Sequence, residues 1–239
     1  MNPNSFPSTE DLRRCTSFTS NIEKEFNEEE DLFLLIRGVS ILIHYQITID
    51  IEQNKQNLGD STFDEGKYLK TKNFPQERID QLKQVPNDII VTKFLEALYN
   101  GIQCSPECLI ISLVYIYQII KTDRLFLREL TWRPIILCAL FIAHKVFDDL
   151  PMTNAELSRI YPFFTSHELC ELESKFMDLI NFNLYVSPKK YAQFYIEIHS
   201  MFSESNTKPL GRLTKAQKRR LENKTKNFDR ESCASILLS

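Results

Sequence analysis

Glycine is scarce in this sequence, with only five among its 239 residues. This scarcity argues against a glycine-rich phosphate loop and against a β-protein with many tight turns. The GxSxG, GxxxxGK(S/T) and HExxH motifs of common enzyme classes are also absent. We therefore expect a protein that is not an enzyme and that needs no cofactor.

A framework of disulfide bonds or metal ligands is missing as well. The six cysteines follow no regular spacing; they are Cys15, Cys104, Cys108, Cys138, Cys170 and Cys233. No secretory signal peptide is visible, so we expect a reducing compartment and a cytoplasmic protein. Cys104 with Cys108, and His144 with Asp148, are each four residues apart and could flank a metal ion. No further ligand pair lies near them, so buried thiols and a polar helix end are the favoured interpretation, with no metal site.

Apolar stretches of membrane-spanning length are lacking too. A spanning helix needs ~20 predominantly apolar residues. The segment Leu32–Ile51 is interrupted by Arg37 and His44, and the uninterrupted run Ile135–Ala143 is too short. We expect no transmembrane segment.

Charge is unevenly placed although the net charge is only −3. The first thirty-one residues carry eight acidic residues and three basic ones, whereas residues 208–230 carry nine basic residues and two acidic ones. A basic helix predicted from Thr214 to about Phe228 could bind phosphates. Aromatic residues do not alternate with its charges, so a solvated or partner-docking helix is favoured, and we expect no nucleic-acid partner.

One stretch indicates the centre of the fold. The run Ile135–Ala143 contains no polar residue, and a helix that is apolar on all sides is a buried helix. We therefore predict that Thr131–Asp149 forms the central helix of a helical domain. Charge returns abruptly at Lys145, Asp148 and Asp149, so we expect this polar end to reach the surface and contact a partner.

Capping and spacing signals predict further helices around the central one. Their predicted starting points are Asp88, Ser105–Pro106, Thr153, Thr165 and Ser187–Pro188. In the first of them we expect Asp88 to be the N-cap residue and Ile89 and Ile90 to face inward.

The flanks complete an all-α prediction. Apolar spacing within Leu32–Ile51 favours an earlier helix, although its end at Gln46–Asp50 alternates, so a strand is an alternative there. The polar residues that follow predict a long connection with local turns. The predicted divisions are an acidic segment 1–30, a helix and connection 31–86, a five-helix core 87–186, and C-terminal helices with a basic tail 187–239.

Two segments resemble the cyclin box, the five-helix module of the cyclin family. LFIAHKVFDD (Leu140–Asp149) is similar to the end of its third helix, and HELCELESKFMDLINFNLYV (His167–Val186) is similar to its fifth. ECLIISLVYIYQII (Glu107–Ile120) and PLGRLTKAQKRRLE (Pro209–Glu222) resemble the cyclin Y-like subfamily in particular.

The resemblance implies a cyclin fold and a function. A cyclin binds a cyclin-dependent kinase and holds its αC helix inward, so that the Lys–Glu ion pair of the kinase can form. The box lysine of the family maps onto Lys145 and the fifth-helix glutamate onto Glu173; in the family these lie close together and bond the kinase backbone. Phe147 is expected on an exposed face against the αC helix. The subfamily implies a kinase of the PFTAIRE or PCTAIRE type.

Some parts of the family pattern are absent. Lys93 and Tyr117 occupy the positions of a usual ion pair, and the substrate-docking motif falls on Thr92–Glu96 without matching. A phosphate-response-type cyclin and a non-activating scaffold with a cyclin fold are the alternatives. The family's tail binds 14-3-3 proteins when phosphorylated, and only Ser232 and Ser235 echo it, as the candidate phosphorylation sites.

Overall fold

A computed structural model describes residues 28–55 and 61–203 of the protein. Within these two ranges the chain is helical and has no strand, which confirms the all-α prediction. The helices are α1 (Glu28–Glu52), α2 (Glu65–Thr71), α3 (Gln76–Leu82), α4 (Asp88–Ile102), α5 (Glu107–Ile120), α6 (Trp132–Phe147), α7 (Asn154–Ile160), α8 (Ser166–Leu179) and α9 (Pro188–Ser203).

The centre of the fold is α6, as its apolar run predicted. Every side chain from Trp132 to Phe147 is buried except Arg133. Helix α6 packs against α4, α5 and α8. Helix α5 is nearly as enclosed, because ten of its fourteen residues are buried. Burying one large aliphatic side chain stabilises a fold by ~1.5–3 kcal/mol, so these two helices dominate the hydrophobic stabilisation.

Helix α1 covers one side of this core, where it packs against α4, α5 and α9. Gly38 allows the close approach of α9, since a Cβ atom at this position would lie 2.4 Å from Cγ2 of Ile198. Arg37 ties α1 to α4, with its guanidinium 2.5 Å from Oδ2 of Asp88 and 2.9 Å from Oγ1 of Thr92. Helix α1 also continues through Gln46–Asp50, so the strand alternative is wrong.

The connection before the core contains two short helices, α2 and α3, where only turns were predicted. Tertiary contacts hold α2 in place. The ring of Tyr68 meets that of Phe164 edge to face at 4.9 Å between centroids. Nζ of Lys72 lies 2.7 Å from Oε2 of Glu168. Seven-residue helices have little stability alone, so such contacts decide whether they form.

The start of α4 was predicted one residue too late, and the two isoleucines in its first turn were assigned to the wrong face of the helix. Asn87 is the N-cap residue, and its side chain accepts a hydrogen bond from the backbone N–H of Ile90. Ile89 and Ile90 are 51% and 46% exposed instead of facing inward. The buried stripe of α4 begins at Val91 and repeats with helical spacing, which places the two isoleucines on the opposite side.

The remaining capping predictions have mixed outcomes. Thr153 and Thr165 both form the predicted capping boxes, with Glu156 and Glu168 respectively. Thr131, the predicted first residue of the central helix, directly precedes α6, and its hydroxyl donates to the Phe126 carbonyl and does not cap the helix. Pro106, which was predicted to be the first helical residue of α5, is instead its N-cap residue.

One helix in the described part of the chain, at Asp31–Glu52, is long and apolar enough to cross a membrane by length and composition. Half of its most apolar window is buried inside the protein. A core helix of a soluble protein passes the same test, so this is weak support for a span, and the absence of a transmembrane segment stays a prediction. The predicted basic helix from Thr214 to Phe228, and Ser232 and Ser235, lie outside the described residues.

Candidate functional site

The C-terminal end of α6 places Lys145 beside Glu173 of α8. Nζ of Lys145 lies 3.2 Å from Oε1 and 3.3 Å from Oε2 of the glutamate. The two helices pack against each other along this stretch. The structure thus brings together the two residues that the resemblance paired, while their role in binding a kinase stays a prediction.

A third residue, Asn154, completes the cluster, and sequence reasoning missed it. It is the first residue of α7, directly after the capping Thr153. Its Oδ1 accepts a hydrogen bond from Nζ of Lys145 at 2.6 Å, and its Nδ2 donates to Oε2 of Glu173 at 2.6 Å. One amide therefore bridges the two charges, and we call Lys145, Asn154 and Glu173 the buried triad. The only signal in the sequence was that Asn154 is a polar residue directly after the N-cap residue of a predicted capping box.

The triad is enclosed, so the expectation that the polar end of α6 reaches the surface is wrong for Lys145, while Asp149 is exposed as expected. The side chains of Lys145 and Glu173 are 0% and 1% exposed. Nζ of Lys145 also lies 4.6 Å from the centroid of the Phe141 ring, a favourable position for a cation. A lysine near a helix end can point into the protein when a buried carboxylate and a buried amide bind its ammonium group. Helical spacing alone does not predict this inward orientation.

Burial also changes the acid–base behaviour of Glu173. Removal from water raises its pKa, and the nearby Lys145 charge and the hydrogen bonds from Asn154 and Lys145 oppose that rise without cancelling it. Oε1 makes no hydrogen bond, although it lies within ion-pair distance of Nζ. The attraction at this oxygen is therefore coulombic and depends on the charge of Lys145.

Phe147 does not occupy the exposed position that was predicted for it. Its side chain is 4% exposed and belongs to the hydrophobic core. The last turn of α6 is still covered by neighbouring elements, so the apolar residue there faces inward. The exposed apolar residue of this region is Leu150, three residues further along the chain.

A second polar network begins at His144, next to Lys145 in the chain. Its Nδ1 lies 2.6 Å from Oδ2 of Asp148, and its Nε2 accepts a hydrogen bond from the backbone N–H of Met152 at 3.0 Å. Because Nε2 is an acceptor, the ring proton lies on Nδ1 and is donated to Asp148. The backbone N–H of Ser105 reaches the same carboxylate oxygen at 3.1 Å.

These contacts set the charge of Asp148. Burial alone would raise its pKa, but hydrogen bonds from His144 and Ser105 outweigh that effect and lower the pKa to about 2. The carboxylate therefore stays ionised across the physiological range. Among residues 28–55 and 61–203, no group of three or more histidine, cysteine, aspartate or glutamate residues is arranged to hold a metal ion.

The two cysteines four residues apart lie beside this network. Cys104 and Cys108 are both buried, and Sγ of Cys108 lies 3.5 Å from Oδ2 of Asp148. Its hydrogen bond with Cys104, which favours the protonated thiol, together with burial raises the pKa of Cys108 far above its usual range. A thiol in these surroundings is inert, which agrees with the interpretation of buried cysteines.

The departures from the family pattern also have a place in the structure. Lys93 is exposed, and Tyr117 packs against Phe194 of α9 with 5.1 Å between ring centroids. Helix α4 is instead held by an ion pair between its Asp88 and Arg37 of α1.

Two comparisons identify the family of this helical domain. A family model described as Cyclin matches residues 8–184. Cyclin-U3-1 of Arabidopsis thaliana is 30% identical to this chain over 106 residues, which are 44% of this chain and 48% of the relative. The match thus spans about half the length of that curated relative. Since the family model covers well over half of the chain, this chain belongs to the cyclin family.

Proposed function

We propose that this cyclin is a regulatory subunit that binds and activates a cyclin-dependent kinase through the surface where α6, α7 and α8 meet. The observation that carries the proposal is the buried triad, which joins one residue from each of these three helices. Family membership supports the class of partner, since the cyclin box is the part of a cyclin that holds the kinase αC helix inward.

The burial of the triad determines how it would act. Lys145 and Glu173 bind each other and Asn154 in the unbound chain, so their first effect is to fix the relative positions of α6, α7 and α8. A surface that is fixed before the partner arrives loses less conformational entropy on binding. In this mechanism, the kinase αC helix packs on the preformed surface above the triad.

Activation of a purified kinase tests the proposal, with Glu173→Gln as the variant and Glu171→Gln as its matched control. Both glutamates lie on α8, but Glu171 is exposed whereas Glu173 is buried. We expect the wild type and the control to stimulate phosphorylation of a generic substrate. We expect Glu173→Gln to do so at least about tenfold less at equal folded concentration, because α6, α7 and α8 would no longer be fixed in position before the kinase binds. Equal activation by the two variants would contradict the role of the triad.

The kinase type and the subfamily are finer proposals. The residues that resemble the cyclin Y-like subfamily support a kinase of the PFTAIRE or PCTAIRE type as the partner. A panel of purified cyclin-dependent kinases, each titrated with the chain under the same conditions, tests this choice. Strongest activation of a kinase outside that type would overturn the choice of partner and leave the general proposal intact.

A second candidate function is a non-activating scaffold with a cyclin fold. The burial of Lys145 and Glu173 is compatible with this alternative, because a buried pair that joins three helices also serves a protein without a kinase partner. The activation assay separates the two functions. Binding without any stimulation would favour the scaffold, and stimulation would exclude it.

The remaining proposals concern location and the tail. We propose a cytoplasmic protein, which is supported by free thiols at Cys104, Cys108, Cys138 and Cys170. We also propose that phosphorylation of Ser232 and Ser235 creates a 14-3-3 site, since phosphate adds up to two negative charges per residue beside basic ones. A synthetic peptide of residues 225–239 should bind a 14-3-3 protein only when phosphorylated. Equal binding without phosphate would contradict the tail proposal.

A further inference from the structure

The connection between α6 and α7 displays an unusually exposed apolar residue. Leu150 is 89% exposed, more than any other large hydrophobic residue in the described part of the chain. It lies at the tip of a five-residue loop, Asp148–Met152, with exposed Asp149 and Pro151 on either side. An aliphatic side chain held fully in water forgoes the stabilisation that burial would give it.

The loop that carries Leu150 is closed by a single imidazole ring. Nδ1 of His144 bonds the side chain of Asp148 on one flank of the loop, and Nε2 accepts from the backbone N–H of Met152 on the other. We call this arrangement the His144 clasp. The side chain of His144 is buried, and the N–H of Ser105 holds Asp148 from a third direction.

The clasp keeps the exposed leucine in one place. A tip residue between two hydrogen-bonded flanks has little freedom to fold back onto the protein. An exposed apolar residue on a preformed loop suits insertion into a partner, because the ordering cost has already been met in the free chain.

The position of the loop indicates which partner it meets. Lys145 directly follows the clasp residue His144, and Asn154 lies two residues after Met152. The loop is therefore continuous along the chain with two residues of the buried triad, Lys145 before it and Asn154 after it. A kinase seated where α6, α7 and α8 meet would thus lie beside Leu150.

We propose that Leu150 is the apolar anchor of this cyclin, inserting into an apolar pocket of its kinase partner, and that His144 is a positioning residue that holds the loop ready for insertion. This inference rests on the proposed function and deepens it. It assigns to Leu150 the apolar contact that the sequence had assigned to Phe147, which is buried.

Kinase affinity measured by titration calorimetry tests the anchor, with Leu150→Ser as the variant. Ile196→Ser is the matched control, because Ile196 is 54% exposed on α9, a helix that packs against α1 and α5. Full burial of a leucine corresponds to roughly a tenfold to hundredfold change in affinity. We expect a loss of that size for Leu150→Ser and less than a twofold change for Ile196→Ser.

The outcomes separate this inference from the function on which it rests. If the wild type and Leu150→Ser bind the kinase equally while Glu173→Gln binds weakly, the anchor is wrong and the kinase surface stands. If the wild type binds no cyclin-dependent kinase, both proposals fall. Since Leu150 is exposed, its replacement leaves folding unaffected, and a thermal melt verifies this.

A double-mutant cycle tests the positioning role of His144. We expect His144→Ala to weaken kinase binding about fivefold or more, and the double variant His144→Ala with Leu150→Ser to bind no more weakly than Leu150→Ser alone. Losses that simply add would show that His144 acts independently of the loop and would overturn its positioning role. Hydrogen exchange at the Met152 amide gives a second readout, and we expect it to accelerate in His144→Ala.

Discussion

Two consecutive residues of α6, His144 and Lys145, lead into polar networks of different kinds. Lys145 turns inward to Asn154 and Glu173, where both charged side chains are almost entirely removed from water. His144 instead closes a loop whose tip is exposed, through Asp148 and the backbone of Met152. One network joins three helices, and the other holds the five-residue loop Asp148–Met152 beside them.

The difference shows how one helix end can serve stability and recognition at once. A buried ion pair contributes little net stability compared with a well-packed apolar pair, but removal of one partner leaves an uncompensated charge. The side chain of Asp148 in the other network is 14% exposed, so it can exchange part of its bonding with water and its loss costs less. We therefore expect changes in the triad to affect the whole fold and changes in the clasp to affect mainly the loop.

The largest effect is expected for Lys145→Met, which tests the triad side of this comparison. Removing the ammonium group leaves the Glu173 carboxylate buried without its charged partner, at a cost of ~3–5 kcal/mol in the free energy of unfolding. Lys93→Met is the control, because Lys93 is exposed on α4. Urea denaturation measures both. A change below about 1 kcal/mol for Lys145→Met would mean that the triad does not join the helices as described.

Leu140→Ala provides an apolar reference on the same helix. Leu140 is fully buried in the middle of α6. Truncating a buried leucine costs ~2–5 kcal/mol, through lost burial and the cavity left behind. A calorimetric melt should therefore shift by several degrees. If Leu140→Ala costs as little as an exposed substitution, α6 is not the central helix.

The pH dependence of stability tests a third buried charged residue, Glu65 of α2, for comparison with the two networks. Burial raises the pKa of Glu65 to about 7, although Arg133 lies 2.9 Å away and opposes the shift. The folded state thus holds this proton more tightly than the unfolded state, whose pKa is near 4.5, and stability falls as pH rises from about 4.5 to about 7. At ~1.4 kcal/mol per pKa unit, the loss is up to about 3 kcal/mol.

Glu65→Gln is the control for that titration. Glutamine has no charge to bury and can still accept a hydrogen bond from Arg133. We expect denaturation of this variant between pH 5 and pH 8 to show a flatter dependence than the wild type. Parallel curves for the two proteins would show that Glu65 does not titrate in this range.

The smallest of these effects is expected for Asp148→Asn, on the clasp side of the comparison. The pKa of Asp148 is depressed to about 2, so its contribution is present above the unfolded value of 3.8 and is lost as pH falls through about 2. Hydrogen bonds to a charged group contribute roughly 1.5–3 kcal/mol, and asparagine retains part of them. Thermal melts near pH 7 should show a loss within or below that range. A loss equal to that of Lys145→Met would erase the proposed difference between the two networks.

Local sequence signals predicted much of the fold. The run Ile135–Ala143 predicted a buried helix, because a helix with this run offers no polar face to water. The capping boxes at Thr153 and Thr165 depend on residues three apart, so they could be identified without knowledge of the tertiary structure. By contrast, α2 depends on contacts with α8 and with Phe164, which lies just before α8. The seven residues of α2 carry no strong pattern of their own.

The candidate site was only partly predictable for a similar reason. Lys145 and Glu173 were paired through the family resemblance, and the structure places them together. Their burial, and the part played by Asn154, depend on how three helices meet, which no local pattern encodes. Phe147 was expected on an exposed face because the family resemblance placed it against the kinase αC helix, yet the last turn of α6 remains covered.

Amide hydrogen exchange of the full chain, alone and with saturating kinase, tests the central claim most directly. The account predicts slower exchange at residues 149–153, the connection above the triad, and unchanged exchange at residues 121–124, an exposed segment after α5. Protection at 121–124 with no change at 149–153 would place the kinase on another face and contradict the account.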